Sequence, residues 1–309
     1  MIKTLLKFIV SEGPSHMFQH FIRAIASAIF LFSASFVFAQ VDLAANANNV
    51  SDLGTVCTVA GAVPITDATA KQCTFTPSVY KMSLFEMGLC TAHPFGANKL
   101  SDTFLTTNCV VTYVDSAPSQ LDVAALLGGA PSTVSGTSTP PPEGTYPFVY
   151  MVMSSTFNIA GVFVHPTAGT FASTAVLTTI DNTVGAVGVE AVDTLTNFAD
   201  SLATDCGSGF TGAAVPEGTM DAFLTDTALT RSPFSNGATG SVCDKSDKII
   251  GVMTMNTPVT VTSDTTSVVF NFNLTNQGVQ LFDDVGGFSG VPDGFGIGPF
   301  SGSFTVTNN

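Results

Sequence analysis

The chain has 309 residues, of which 45% are hydrophobic and 10% charged, and a formal net charge of −14. A chain so apolar and so poor in charge is not disordered, and its length suffices for one large or two ordinary domains with ample core. The acidity excludes the electrostatic footprint of a nucleic-acid binder and disfavours anionic membrane surfaces, while it favours the recruitment of divalent cations.

Lys3, Lys7 and Arg23 precede an apolar run over 24–38 that ends in Val37-Phe38-Ala39. That is the basic, apolar, small-residue order of a secretory signal peptide, with cleavage expected after Ala39. Met17 offers a more conventional start to the same leader. The run is short for a bilayer span, which takes about 20 residues, and no transmembrane segment is expected after cleavage. Cleavage removes three basic residues but only one acid, Glu12, so the mature chain is more acidic still. The expected location is secreted or at the cell surface, in a Gram-negative bacterium. An outer-membrane barrel is weighed against this and set aside. Trp is absent, and all four tyrosines (Tyr80, Tyr113, Tyr146 and Tyr150) lie in the first half, which leaves no aromatic girdles.

All six cysteines, Cys57, Cys73, Cys90, Cys109, Cys206 and Cys243, follow the leader. An even count in an oxidising compartment reads as disulfides, although spacing alone does not choose among the connectivities. Sequential pairing, Cys57–Cys73, Cys90–Cys109 and Cys206–Cys243, is preferred, because each bridge then restrains a loop rich in Gly, Pro, Ser or Thr. The absence of CxxC excludes a zinc ribbon and a thioredoxin-type motif.

In chain order, 40–55 is thin and polar with weak alternation, and 40–77 is read as an arm and first loop. Residues 78–90 form the first strong strand, with a phase slip that implies a bulge. A second strand covers 109–114, and 120–127 is a strand or a short helix. Residues 131–144 form a loop that ends in Pro140-Pro141-Pro142. Residues 146–159 are apolar on both faces, with Tyr146, Phe148 and Tyr150 on one and Val149, Met151 and Met153 on the other. Such a strand belongs in the middle of a sheet. A strand is expected over 171–180 and a helix over 187–200, where Val189, Val192, Leu195 and Phe198 keep helical spacing. Residues 206–243 read as an excursion, part of an insertion over 181–247. Strands return at 249–255, at a hairpin of 258–262 and 267–275, at 278–283 and at 303–307. A glycine-rich loop covers 286–302. The pattern predicts an all-β chain, an antiparallel β-sandwich over 78–309 with at most one or two short helices.

Three stretches, YKMSLFEMGLC (80–90), PPPEGTYPFVYMVM (140–153) and PVTVTSDTTSVVFNF (258–272), resemble secreted bacterial surface proteins of uncharacterised function with immunoglobulin-like or prealbumin-like sandwiches. The resemblance covers about a third of the mature chain. It implies that fold and a surface location, and it brings no catalytic residues.

Chemistry is sparse. The mature chain has two histidines, His93 and His165, and spacing sets no acid beside either, so both read as ordinary loop histidines. The Gly287-Phe288-Ser289-Gly290-Val291 stretch misses the nucleophile elbow at its last position. Asp283, Asp284 and Asp293 flank or enter the glycine-rich loop and form the candidate calcium site, since calcium takes six to eight oxygens and such loops offer carbonyls beside carboxylates. No other cofactor is expected. The expected function is non-enzymatic: a structural subunit of a surface coat, fibre or matrix, or an adhesin-like module. Its partners would be copies of itself, through the arm over 40–50, or other cell-surface components. The alternative is a secreted module that binds glycan or another small ligand.

Overall fold

The computed structural model describes residues 55–68, 71–97, 99, 101, 103–128, 134–196, 210–215, 217–231, 246–283 and 287–309. In chain order the strands are β1 (Thr55–Val56), β2 (Gln72–Phe75), β3 (Val79–Met82), β4 (Leu84–Cys90), β5 (Cys109–Val114), β6 (Leu121–Asp122) and β7 (Thr137–Ser138). They continue with β8 (Gly144–Ser154), β9 (Thr156–Ala160), β10 (Val162–His165), β11 (Gly169–Ser173), β12 (Ile180–Asp181), β13 (Ala191–Thr194), β14 (Phe210–Val215) and β15 (Gly218–Thr225). The last are β16 (Lys248–Val261), β17 (Thr265–Asn273), β18 (Val279–Phe282), β19 (Gly294–Ile297) and β20 (Ser301–Asn308). Two 3₁₀ turns, Thr106–Asn108 and Ala124–Gly128, are the only helical elements among the described residues, so the fold is all-β. No helix among them is long and apolar enough to cross a membrane.

The organising sheet has seven strands in the order β14-β15-β16-β8-β4-β5-β7, all antiparallel. As expected for a strand apolar on both faces, β8 lies at its centre. Smaller sheets, β13-β9-β3-β6, β1-β2-β18-β19, β10-β11-β12 and the pair β17-β20, supply the rest. Among the described residues, only β1 and β2 pair in parallel.

One core lies between the large sheet and the smaller ones. It takes Leu84, Met87, Leu89, Val149, Met151 and Met153 from the large sheet, and Tyr80, Phe157, Phe270, Phe272 and Phe295 from the others. A second core covers the opposite face, where Cys90, Tyr150, Val152, Phe223, Ile250 and Val252 meet Phe95 and Phe104. Gly88 is required there, because any Cβ would stand 2.5 Å from the Tyr150 ring. The two cores explain why the central strands lack a polar face.

Several expectations change. The strand over 78–90 is two strands in different sheets, and the bulge implied by its phase slip lies where the register of β4 with β8 shifts, between Leu84 and Glu86. Ser83 separates β3 from β4, Ser155 separates β8 from β9, and the two breaks lie side by side, with Ser154 N–H donating to the Ser83 carbonyl at 3.0 Å. The Ser155 hydroxyl holds its corner by donating to the Ser246 carbonyl. Tyr146 belongs to the first core and Tyr150 to the second, because the register shifts between Phe148↔Thr254 and Tyr146↔Val259. The segments 258–262 and 267–275 are not a hairpin. The end of β16 pairs with β8 and β17 pairs with β20, so the turn at 262–264 carries the chain from one sheet to another.

The helix expected over 187–200 is instead β13 as far as 194, and 197–200 lie outside the described residues. Ala191 is buried while Val189 and Val192 are exposed, which leaves no apolar helical stripe to bury. The strand over 171–180 is broken by a turn at 174–179 held by the Thr174 hydroxyl. The insertion over 181–247 contributes β12 to β15 to the sheets, and β15 pairs with β16 along its whole length. The first loop of 40–77 contains β1 and β2, and the loop over 286–302 contains β19. Residues 120–127 are a short strand followed by a 3₁₀ turn. The arm over 40–50 lies outside the described residues.

Candidate functional site

The densest polar chemistry sits in the second core. Strand β15 alternates Ala222 and Leu224 into the first core, so Asp221 and Phe223 point to the other face. Asp221 is fully buried. A buried carboxylate must be paired, and its partners come from the loop after β4. His93 Nε2 lies 3.2 Å from Asp221 Oδ2, and Lys99 Nζ lies 2.8 Å from Oδ1. His93 Nδ1 accepts the Phe95 N–H at 3.1 Å, so the ring proton of the neutral tautomer sits on Nε2 and is donated to Asp221. Arg231 closes the cluster. Its guanidinium lies over Phe223 at 4.8 Å and donates to the Lys99 carbonyl at 2.6 Å. At the far side the Tyr150 hydroxyl donates to Glu86 at 2.6 Å, and burial first, then this bond, pushes the Tyr150 phenol well above its ordinary pKa.

This arrangement is a clamp. The loop 91–108 is fastened at its ends by Cys90–Cys109 and at its middle by Asp221 and Arg231. Both His93 nitrogens are committed within the fold, one to a carboxylate and one to an amide, and the ring is 7% exposed. A general base needs a nitrogen within reach of a substrate proton. The sequence reading treated His93 as a loop histidine and missed Asp221. The available signal was a lone carboxylate within Met220-Asp221-Ala222-Phe223-Leu224, since an acid inside an apolar strand is buried only with partners.

His165 ends β10 with its ring 1% exposed, and its Nδ1 accepts from Thr167 and Ala168 N–H at 3.2 and 2.9 Å. It shapes the turn into β11, far in sequence from His93. Its Nε2 has no hydrogen-bond partner among the described residues.

Of the calcium candidates, Asp283 and Asp293 bracket the loop between β18 and β19, and Asp284 lies outside the described residues. Asp283 is buried, and its Oδ2 accepts from Ser289 N–H at 2.6 Å, from the Ser289 hydroxyl at 3.2 Å and from Gly290 N–H at 2.5 Å. That oxygen is saturated by the protein's own donors, so Asp283 acts as the loop's internal brace. Asp293 N–H donates to the Phe282 carbonyl at 2.7 Å. No three His, Cys, Asp or Glu among the described residues are grouped to hold a metal.

The disulfides Cys57–Cys73 and Cys90–Cys109 form as the sequential pairing predicts, while Cys206 and Cys243 lie outside the described residues.

Five of the twelve exposed large apolar side chains among the described residues, including the two most exposed, lie on one strap, 174–192, which runs from the end of β11 through β12 to β13. Val184 is 91% and Val187 80% exposed, with Val176, Val189 and Val192 each more than half exposed. The strap is held by its backbone. Val189 N–H donates to Ser173, the Ser173 hydroxyl donates back to Val189, and Gly188 lies so near Gly161 that a Cβ would stand 2.6 Å from its carbonyl. The valines therefore face outward on an anchored segment. Glu190 beside them is neutralised by Lys81 at 2.5 Å, a bond that holds the Glu190 carboxyl below its usual range. Comparison with known proteins finds no matching family model, no matching curated protein and no matching solved structure.

Proposed function

We propose that the chain is a non-enzymatic secreted surface protein, a structural subunit of a coat, fibre or matrix or an adhesin-like module, that joins its neighbours through the 174–192 strap. The observation that carries this reading is the row of outward valines on an anchored strap that ends in β13. Isolated surface apolar residues are ordinary, but a concentration of them marks an interaction surface. Strand β13 pairs with β9 on one side and is an edge of its sheet among the described residues. An edge strand beside apolar side chains offers both backbone hydrogen bonds and burial to a partner. The same patch on a second copy makes a self-complementary contact, and a displaced pairing that does not close gives a fibre. The two disulfides fit an oxidising compartment.

The test is sedimentation velocity and negative-stain electron microscopy on the purified mature protein. The wild type is expected to form ordered oligomers or polymers. Val187→Lys combined with Val189→Lys is expected to weaken association at least about tenfold, or about 1.4 kcal/mol, without moving the thermal midpoint. A wild type that stays monomeric at every concentration overturns the reading. A monomer that holds glycans on an array establishes the alternative of a glycan-binding module.

A further inference from the structure

We propose a second kind of site, independent of assembly: a binding site for an oxygen-seeking divalent cation of the calcium class, built by Glu217, Thr275 and Gln277 around Asn273. Glu217 sits in the turn between β14 and β15, and the other three at the end of β17 and in the turn that follows it. Each of the three is hydrogen-bonded to Asn273. The Asn273 side-chain amide donates to Glu217 Oε1 at 3.4 Å, its Oδ1 accepts the Thr275 N–H at 2.9 Å, and its carbonyl accepts Gln277 Nε2 at 2.8 Å.

Each of the three also carries a buried oxygen with no hydrogen-bond partner among the described residues: Glu217 Oε2, Thr275 Oγ1 and Gln277 Oε1. Buried polar atoms are nearly always satisfied, so three orphans around one residue need a common cause. The Gln277 amide cannot be turned to relieve this. Its Nε2 is fixed by the Asn273 carbonyl and by the Ser301 hydroxyl at 2.9 Å, and the side chain is only 2% exposed. The Thr275 hydroxyl can give its single hydrogen to one neighbour, which still leaves an oxygen unmatched. No ion pair among the described residues joins Glu217 to a Lys or Arg, so among them no cation stands against this buried carboxylate oxygen.

One carboxylate, one amide oxygen and one hydroxyl, supplemented by backbone carbonyls and water, are the donors calcium accepts. A single formal charge places the affinity at the weak end, with a dissociation constant on the order of 10⁻⁴–10⁻³ M, as in extracellular modules. The bound ion would tie the β14–β15 turn to the turn between β17 and β18. This is a different place from the Asp283 loop.

The experiment is titration of the full mature protein, stripped with EDTA, with calcium chloride, read by thermal midpoint and by equilibrium dialysis with elemental analysis. One ion per chain and a midpoint that rises with calcium are expected. Glu217→Gln is expected to abolish both, while its metal-free midpoint stays equal to or above the parent's, because the new amide supplies the missing donor. Thr275→Val, which conserves volume, is expected to weaken binding severalfold and serves if Glu217→Gln does not fold. Asp283→Asn is expected to bind as the parent does. The proposal is overturned if no ion binds up to about 10 mM calcium, well above that affinity range. It is equally overturned if Glu217→Gln and Thr275→Val respond like the parent, or if Asp283→Asn alone loses the ion.

Discussion

Single residues in this protein are set by which face of a strand they occupy. Asp221 is held where it is because β15 turns its odd-numbered side chains to the second core, where His93 and Lys99 meet it. Asp221→Ala would strand the His93 N–H in an aromatic pocket and leave Lys99 to find solvent. Breaking a buried pair in this way is expected to cost about 3–5 kcal/mol, seen as a lower denaturant midpoint at unchanged slope. A loss under about 1 kcal/mol would show that the cluster is not a clamp. Asp193 makes the opposite case. Burial raises its carboxyl pKa, although N–H bonds from Ile297 and Thr194 pull it down. The folded chain therefore holds this proton more tightly than the unfolded one. That contribution is full below the ordinary carboxylate range and is lost as pH rises through the raised value. Asp193→Asn keeps an acceptor for the Ile297 N–H without the charge. The variant should melt higher than the parent at neutral pH, with the difference shrinking to nothing at acid pH. A lower neutral-pH midpoint would contradict this assignment.

At the scale of elements, what could be read from the sequence was where the chain is extended and where it turns. What could not be read was which strand each one meets. The 146–153 run has apolar residues on both faces, and only a central strand can bury both, so the place of β8 was legible. The turn at 263–266 was equally legible, yet the strands around it join different sheets, because turn residues fix a reversal without choosing a partner. Val189, Val192 and Leu195 keep helical spacing, but Val189 and Val192 both face outward, and within β13 Ala191 and Asp193 turn inward while Val192 and Thr194 turn out, which is a strand's alternation over a short window. The candidate site was less legible than the fold, since Asp221 and His93 are 128 residues apart and only the sheet order brings them together. The account of β8 has its own test. Met151→Ala opens a cavity in the first core and should cost about 2–5 kcal/mol. Phe288→Ala, at a ring 38% exposed, should stay within about 0.5 kcal/mol. Equal losses at the two positions would remove the distinction between core and surface drawn here.

For the whole molecule, the two cores share one sheet but have unlike covers. The first is roofed by other sheets, whose strands bring their own ladders of hydrogen bonds. The second is roofed by a loop, and Phe95 and Phe104 on that loop supply two of its rings. The two disulfides therefore do different work. Their sequence separations are 16 and 19, so the loop entropy each removes from the unfolded chain is nearly the same, about 3 kcal/mol in the chain-entropy account. Any difference between them must come from the folded state. Cys57–Cys73 ties the residue that follows β1 to β2, strands already aligned by backbone pairing, with β18 paired along the other side of β2. Cys90–Cys109 pins both ends of the loop that covers the second core. Replacing each pair with serines should lower the thermal midpoint in both cases. Only Cys90→Ser with Cys109→Ser should also uncover Phe95 and Phe104, increasing the fluorescence of a dye that binds exposed apolar surface, while the backbone amides of β8 and β16 stay protected by the first core. The Asp221 and Arg231 contacts hold the middle of the same loop, so adding Asp221→Ala to the serine pair should increase dye binding by more than the two changes do separately. Dye binding that rises equally on loss of Cys57–Cys73, or β8 amides that exchange as soon as the second core opens, would mean that the two faces of the sheet form a single cooperative unit.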